Sequence, residues 1–466
     1  MINNFITSFK QRYNMAGGYK EFFVIAIPLI ISTSSWGVQH FIHRLFLSHY
    51  SVDTFAAVFP AGILHATVMS IFVGTVVYVD VFVAQYWGKG EKSAIGPAVW
   101  QSVYLAFVGG LIVLFVALFA EPIFSFIAHA PEIQVHKVTY FQTLAWAAFP
   151  SLAATAMGGF YAGRGKTRVI VAVNVVGVLV AVLFDWLLIF GRFGFPELGI
   201  RGAGIASILG AITMASIYVW LITRRQNSLE YNTRIFKPDF TFIKKLIKFG
   251  FPNGVQFFFD IASFTFFVLV VGTLGRIELT ASTIAFTINS LAYLPLSAFG
   301  ITVSILVGQY LGRNKADIAE TATYTGLKVA FVYAAAISLA YVLFAGSLVD
   351  LFLTGADAYY AELIRPAAIK LLMFICVYTM LDPLGTIFSS AIKGAGDTAY
   401  IMKALIVLSV LILALPAYTA VALLDGGLYT AWTIFLIHGA AYGLAFYKRF
   451  LTKKWAKMRV IDMKVK

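Results

Sequence analysis

The most constraining feature of this sequence is an internal duplication that spans half of the chain. Pro28 and Pro252 each follow a large apolar residue early in a long hydrophobic run, and they lie about 224 positions apart. Segments 85–89 and 309–313, which read Gln-Tyr-Trp-Gly-Lys and Gln-Tyr-Leu-Gly-Arg, close the following runs with the same offset. A repeat of this length inside hydrophobic sequence predicts two copies of one membrane-embedded helical bundle, an arrangement typical of transporters.

The composition assigns the chain to the lipid bilayer. Of its 466 residues, 60% are hydrophobic and only 12% are charged, and the mean hydropathy is +0.85. Soluble domains carry about 25% charged residues. The first apolar run is too long to be a removed signal peptide, and it lacks a small-residue cleavage site. A single cysteine, Cys376, excludes an intramolecular disulfide and a cysteine-based metal or iron–sulfur site.

Apolar runs of about 20 residues or more, the length that crosses a bilayer, recur throughout the chain. They predict an all-α membrane protein with twelve transmembrane helices in two pseudo-symmetric six-helix bundles. Strands are not expected, because the runs lack the alternation of a membrane barrel. The predicted spans are residues 20–46, 54–86, 97–120, 136–162, 168–191, 199–223, 243–273, 281–311, 321–346, 363–392, 399–424 and 427–449.

The basic residues predict the orientation of these spans. Most of the 35 Lys and Arg residues fall in one alternating set of loops, which includes both termini. The positive-inside rule places this set in the cytoplasm, so we expect a multi-pass protein of the plasma (inner) membrane with cytoplasmic termini. The net charge of +14 is then a topology signal, and nucleic-acid binding is not expected.

The number of spans predicts how the two copies are related. Six spans return the chain to its starting side, so the copies run parallel and are related by a pseudo-two-fold axis along the membrane normal. One long polar stretch separates them. We therefore predict an N-terminal bundle over residues 1–225, a cytoplasmic linker over 226–242 and a C-terminal bundle over 243–466.

Several motifs share their order and spacing with one known family. They are the two early prolines, the two Gln-Tyr-x-Gly-(Lys/Arg) segments, and segments 185–191, 199–204 and 393–398. On these motifs, which cover nearly the whole chain, the sequence resembles the multidrug and toxic compound extrusion (MATE) family. The resemblance implies a secondary antiporter that exports lipophilic or cationic drugs or metabolites by alternating access, driven by protons or sodium. We expect a monomer in the bilayer, with a small-molecule substrate and no cofactor.

Two aspartates in the predicted C-terminal bundle are candidate binding residues, because a charge inside the bilayer is costly and marks function. Asn253, Gln256 and Asp260 share one face of the seventh span at helical spacing. Tyr378 and Asp382 share a face of the tenth span. Both aspartates match acidic positions of the family, and the resemblance assigns a cation site to this bundle. Either they line one cavity and exchange a cation or protons, or they belong to a polar seam between helices.

The N-terminal bundle departs from the family pattern. His43 occupies the position in the first span at which the family commonly carries an aspartate, and Gln39 lies one turn before it. Asp185 in the fifth span matches a family aspartate, and Asn174 lies three turns earlier on the same face. Either His43 and Asp185 pair as a proton-responsive switch, or His43 bonds to a backbone carbonyl and Asp185 pairs with Arg201.

The same residues bear on the coupling ion. Histidine alone titrates near neutral pH, and an imidazole is a poor ligand for a hard cation such as sodium. We therefore expect a proton, with sodium as the less favoured alternative. Arg44, also inside the first span, is expected to extend to the outer surface or to pair with Asp53 or Glu121, with a substrate contact as the alternative. His65 is expected to serve packing.

Two other functions fit a chain of this kind. A lipid-linked oligosaccharide flippase of the same superfamily handles phosphates and is expected to carry basic residues inside its spans, whereas the mid-span charges here are acidic. An intramembrane prenyltransferase-like enzyme needs clustered aspartates for magnesium, and the chain has no Asp-Asp-x-x-Asp cluster. It also has no His-Glu-x-x-His, Gly-x-Ser-x-Gly or Gly-x-x-x-x-Gly-Lys-Ser/Thr motif, so we expect no enzymatic activity.

Overall fold

The computed structural model describes residues 11–125, 131–354 and 358–462, and within these ranges the chain is helical without strands. The first half contains α1 (Tyr19–Tyr50), α2 (Val52–Val77), α3 (Val79–Lys89), α4 (Ile95–Ala117), α5 (Ala120–Ser125), α6 (Pro131–Ala145), α7 (Ala148–Ala162), α8 (Thr167–Phe190), α9 (Gly199–Ile222) and α10 (Arg225–Tyr231). The second half contains α11 (Phe240–Gly272), α12 (Arg276–Gly312), α13 (Ala316–Leu353), α14 (Ala358–Ala395), α15 (Thr398–Leu408), α16 (Leu415–Tyr418) and α17 (Leu428–Leu451).

These helices form twelve rods that coincide with the twelve predicted spans, so the predicted all-α architecture of two six-helix bundles is confirmed. In the described ranges, ten rods are long and apolar enough to cross a membrane. The fourth rod is divided into α6 and α7, each 15 residues long, and the twelfth is α17. The helices α12, α13 and α14 exceed the predicted spans, since they reach 37, 38 and 38 residues.

Prolines explain two interruptions of these rods. A proline lacks an N–H group and its ring collides with the carbonyl four residues earlier, which weakens the helix at that point. The break between α6 and α7 falls at Trp146, four residues before Pro150. In the eleventh rod, wider π-helical turns at 409–414 and 419–423 flank the short helix that holds Pro416. Pro28 and Pro252 lie inside continuous helices, as expected of spanning segments.

The described residues fall into two compact units. The first unit comprises residues 27–258, 308–314 and 459–462, and the second comprises 11–26, 259–307 and 315–458. The helix α11 contributes to both units, because the division falls between Phe258 and Phe259. The assignment of residues 1–225, 226–242 and 243–466 to two bundles and a linker stays a prediction.

The repeated Gln-Tyr-x-Gly motif has a packing role in the first unit. A Cβ atom at Gly88 would collide with the carbonyl of Gln309, and one at Gly312 would collide with the carbonyl of Gln85. The two motif copies therefore cross at a distance that only glycine allows. The side chain of Gln85 accepts a hydrogen bond of 2.9 Å from the backbone N–H of Val460, which is buried.

The predicted linker is an ordered part of the first unit. Tyr231 and Thr233 are fully buried, and the indole Nε1 of Trp100 on α4 donates to the carbonyl of Thr233 at 2.7 Å. Gln101 accepts from the backbone N–H of Asp239 at 2.9 Å. These contacts satisfy backbone groups that would otherwise need water, so this segment packs as a fixed cover on the end of α4.

Candidate functional site

A buried polar chain of three side chains lies in the first unit. Nδ1 of His43 is 3.1 Å from Oδ1 and 3.2 Å from Oδ2 of Asp185, and Nε2 is 2.6 Å from the hydroxyl of Tyr140. The exposed fractions of these residues are 4%, 1% and 5%. They come from α1, α8 and α6, so the chain joins three helices of the bundle.

The residue types explain why this arrangement persists in an apolar interior. A buried carboxylate needs a partner, because loss of its hydration is offset only by a charge or hydrogen bonds. Both oxygens of Asp185 face Nδ1 of His43, so this nitrogen is the hydrogen-bond partner of the carboxylate. The ring of His43 is in turn held against Tyr140, with centroids 5.6 Å apart. Removal of one member leaves a buried polar group unsatisfied, at a cost of about 3–5 kcal/mol for a paired charge.

This geometry can hold one additional proton without losing a hydrogen bond. With neutral His43, the hydrogen on Nδ1 is donated to Asp185, and Nε2 accepts from the Tyr140 hydroxyl. When Nε2 gains a proton, it donates to the same Tyr140 oxygen, which turns from donor to acceptor. The chain can therefore exist in two protonation states that differ in charge and in the direction of one hydrogen bond.

The remaining predicted residues of the N-terminal bundle lie around this chain or apart from it. Gln39 is half-buried one turn before His43 on α1. Asn174 donates from Nδ2 to the hydroxyl of Ser32 at 2.6 Å, which is a second polar contact between α8 and α1. Arg201 is exposed at the start of α9. The structure thus pairs Asp185 with His43, and the alternative pairing with Arg201 is not observed.

A second polar cluster lies in the second unit around Asp382 of α14. The hydroxyl of Thr386 donates to Oδ1 of Asp382 at 3.0 Å. Three tyrosines from three helices, Tyr293, Tyr378 and Tyr442, interact electrostatically with both Asp382 and Asp260. Their shared neighbours bring the two predicted aspartates into one cluster. Asp260 is exposed and Tyr293 is 47% exposed, so neither side chain is enclosed by the packed core of the unit.

The aromatic surroundings of this cluster are extensive. The ring of Tyr378 packs on Phe435 with centroids 5.0 Å apart. Phe435 belongs to a buried group with Phe267 and Trp432, whose ring centroids lie 4.9–6.0 Å from one another. Phe267 of the seventh span therefore belongs to the core of the unit, whereas Phe264 is 43% exposed. Carboxylates beside π faces suit an organic cation.

Asn253 and Gln256 belong to the first unit, although they share the helix α11 with Asp260. Nδ2 of Asn253 donates to the carbonyl of Gly74 at 2.5 Å. Its Oδ1 atom, like Oε1 of Gln256, is buried without a hydrogen-bond partner in the described part of the structure. Asn253 therefore anchors α11 on the second span, so a packing role accounts for its position.

Sequence reasoning missed three tyrosines that complete these clusters. Tyr293 and Tyr442 have no charged residue beside them in the sequence, and nothing distinguishes Tyr140, one turn after Lys137, from the many other aromatic residues of the spans. Their position along the span could have indicated a polar cluster, because a tyrosine hydroxyl far from a helix end needs a polar partner. Among the described residues, no group of three or more His, Cys, Asp or Glu side chains has the geometry to hold a metal ion.

Comparison with known proteins places this chain in a family. The sequence profile of the MatE family matches residues 28–187 and again 252–419, so the two matches begin at the prolines of the internal repeat. "Probable multidrug resistance protein NorM" from Shewanella oneidensis is 26% identical over 382 residues, 81% of this chain and 82% of the relative. A protein of the same description from Bacillus cereus is 25% identical over 451 residues, 94% of this chain and 95% of the relative.

Solved structures agree on the fold. The outward-facing conformation of a multidrug resistance MATE family transporter of the MOP superfamily superposes with a TM-score of 0.85 at 20% identity. The superposition covers 93% of this chain and 95% of that one. A MOP superfamily transporter from Pyrococcus furiosus, described as having a binding pocket of reverse polarity, gives 0.86 at 20% identity, with 96% and 98% covered. With two profile matches over most of its length, the chain belongs to the MATE family of multi-pass membrane transporters.

Proposed function

We propose that the protein is a secondary antiporter of the plasma (inner) membrane that exports lipophilic cationic drugs or metabolites by alternating access, driven by a proton gradient. The named relatives are described as multidrug resistance proteins, which supports the export of drugs. The choice of cations is supported by the carboxylates and tyrosines of the second unit. The observation that carries the choice of ion is the buried chain of Asp185, His43 and Tyr140.

Proton coupling requires that the two transport states bind the proton with different affinity. The three members of the chain come from three helices, so a shift of α1 against α6 or α8 changes at least one of its hydrogen bonds. Conversely, a proton on Nε2 of His43 reverses the bond to Tyr140 and adds a positive charge beside Asp185. Protonation thereby biases the packing of α1, which gives the gradient a way to act on the bundle.

Sodium fits this site less well. A hard cation prefers several oxygen ligands, and the imidazole of His43 supplies nitrogen where the family commonly has a carboxylate. Both oxygens of Asp185 face that nitrogen at 3.1 and 3.2 Å. A sodium ion would have to displace His43 from the carboxylate, which would leave the buried Nδ1 atom of the imidazole without its acceptor.

The substrate is proposed to bind at the cluster of the second unit. Asp260 and Asp382 supply negative charge, and Tyr293, Tyr378 and Tyr442 supply π faces and hydroxyls. Flat organic cations gain from both, through charge attraction and cation–π contact. We propose a monomer with cytoplasmic termini and no enzymatic activity.

The test uses the purified full chain in proteoliposomes loaded with a fluorescent cation such as ethidium. A proton gradient and a sodium gradient are imposed separately, and efflux is measured. We expect efflux with the proton gradient alone, and loss of this efflux in His43→Gln. Full efflux driven by sodium at zero proton gradient would contradict the proton assignment, and no efflux under either gradient would contradict antiport.

A further inference from the structure

The exposed face of α9 continues past the end of the helix as an arginine. Ile212, Ser216 and Trp220 lie four residues apart and are exposed, so they form the face of α9 that turns away from the packed unit. The helix ends at Ile222, and Arg224 follows Trp220 at the same spacing. Its guanidinium lies 3.7 Å from the ring centroid of Trp220. A tryptophan at the end of a membrane span lies at the depth of the lipid headgroups, so the stacked guanidinium is held at that depth too.

A second arginine, from the linker, is fixed at the same helix end. Nε of Arg234 donates to the carbonyl of Thr223 at 3.1 Å, one residue before Arg224. This bond uses Nε only, so the two Nη groups of this exposed side chain can donate to a ligand. The backbone beside it is also fixed, because the hydroxyl of the buried Thr233 donates to the carbonyl of Ile222 at 2.7 Å. Both guanidinium groups are therefore positioned before any ligand binds, which lowers the entropic cost of binding.

The acidic residues of the linker are engaged elsewhere. Glu230 forms an ion pair with Lys92, in which Oε1 and Nζ are 2.8 Å apart. Oδ1 of Asp239 accepts from two backbone N–H groups in the first turn of α11, at 2.9 and 3.1 Å. Among the residues that the structure describes, no Asp or Glu forms an ion pair with either arginine. The end of α9 therefore presents two positive charges to a negatively charged ligand.

The apolar residues of the linker indicate which kind of anion this is. Leu229 is 76% exposed, Phe236 is 49% exposed and Phe240 is 74% exposed. The linker joins the end of one span, α9, to the start of the next, α11, so it lies near the membrane surface. Apolar side chains beside basic ones at this level are typical of segments that contact anionic lipids. A soluble phosphate would account for the arginines but not for the exposed apolar side chains.

We infer that Arg224 and Arg234 form a binding site for the phosphate of an anionic phospholipid at the end of α9. The phosphate accepts hydrogen bonds from both guanidinium groups, and an acyl chain lies along the exposed face of α9 beside Trp220. In the predicted orientation this helix end belongs to the cytoplasmic leaflet. One arginine ends α9 and the other belongs to the linker, so the bound lipid also holds the linker against the helix.

The test measures the preference for an anionic headgroup. The purified full chain in dodecylmaltoside micelles is titrated with phosphatidylglycerol or phosphatidylcholine that carries a dansyl group on one acyl chain. Energy transfer from tryptophan to dansyl reports binding, and we expect phosphatidylglycerol to bind more tightly. Arg224→Gln and Arg234→Gln should each weaken phosphatidylglycerol binding roughly fivefold and change phosphatidylcholine binding by less than about twofold. Arg224→Lys, which keeps the charge but not the planar guanidinium, should give an intermediate loss.

The matched control is Arg192→Gln, which removes an exposed arginine from the short segment after α8 and should alter the binding of neither lipid. Arg234→Gln also removes the bond to Thr223, so its melting curve is compared with that of the parent protein. If the linker has loosened, Arg224→Gln decides the outcome.

Four results would overturn the site. They are an unchanged affinity for phosphatidylglycerol in Arg224→Gln, an equal loss of both lipids in that variant, and a similar loss in Arg192→Gln, which would indicate an effect of net charge alone. The fourth is displacement of the labelled phosphatidylglycerol by inorganic phosphate at constant ionic strength. In that case the arginines bind a soluble phosphate, and the lipid assignment is wrong.

Discussion

Replacement of Tyr140 by Phe removes one hydroxyl from the buried chain and leaves its ring in place. The hydroxyl is 2.6 Å from Nε2 of His43 and is buried, so water cannot replace it easily. A hydrogen bond between neutral groups contributes about 0.5–1.5 kcal/mol, and one to a charged group about 1.5–3 kcal/mol. The variant therefore penalises the protonated histidine by roughly 1 kcal/mol more than the neutral one. Since one pH unit corresponds to about 1.4 kcal/mol, the pH profile of transport should move by roughly 0.7 units toward lower pH.

The assay is the initial rate of ethidium efflux from proteoliposomes at a series of pH values and a constant proton gradient. Tyr104→Phe is the matched control, because its hydroxyl donates to the carbonyl of Phe236 on the linker and takes no part in the buried chain. We expect the control to keep the profile of the parent protein. A Tyr140→Phe profile that coincides with the control, or that moves toward higher pH, would refute the assignment of Nε2 as the proton-accepting atom.

Two further variants test the second cluster and the helix packing. Asp382→Asn should weaken binding of tetraphenylphosphonium roughly tenfold, because the negative charge beside the tyrosines is lost. Asp425→Asn, in an exposed loop, should leave this binding unchanged. Equal effects of the two substitutions in a binding titration would contradict the site. Gly254→Ala places a Cβ against the carbonyl of Ile71 and should cost about 1–3 kcal/mol of unfolding free energy. Gly62→Ala in the interior of α2 meets no atom within 4 Å, so it should not destabilise the protein and should add about 0.5–1 kcal/mol through the lower entropy of the unfolded chain. Coincident melting curves for the two variants would refute this packing argument.

The sequence predicted the architecture well because the bilayer restricts the choices. Hydrophobic length determines where a helix can cross, and the repeat of Pro28 and Pro252 revealed two copies of one bundle. The helix bounds were less accurate where α12, α13 and α14 continue beyond the apolar region. Hydropathy does not predict such extensions, because the helical hydrogen bonds continue into the polar residues at the helix ends. The order of the linker was also missed, because its contacts with α4 depend on tertiary packing.

Only some residues of the candidate sites could be identified from the sequence. Helical spacing and rare buried charges singled out His43, Asp185 and Asp382, because charges in apolar spans are few and costly. The same reasoning could not identify Tyr140, because a tyrosine in an apolar span is neither rare nor charged. Its partner His43 is also 97 residues away in the chain. It also grouped Asn253 with Asp260 on one helical face. Asn253 belongs to one compact unit and Asp260 to the other, and a common site for these residues stays a prediction.

The proposed antiport requires that a proton moves through the first unit in exchange for substrate. The most direct measurement places a pH-sensitive dye inside proteoliposomes and imposes a gradient of ethidium with no initial pH difference. We expect substrate movement to drive protons in the opposite direction, and we expect His43→Gln to abolish this proton flux while ethidium still binds. Ethidium transport at an unchanged internal pH, or an equal proton flux in His43→Gln, would contradict it.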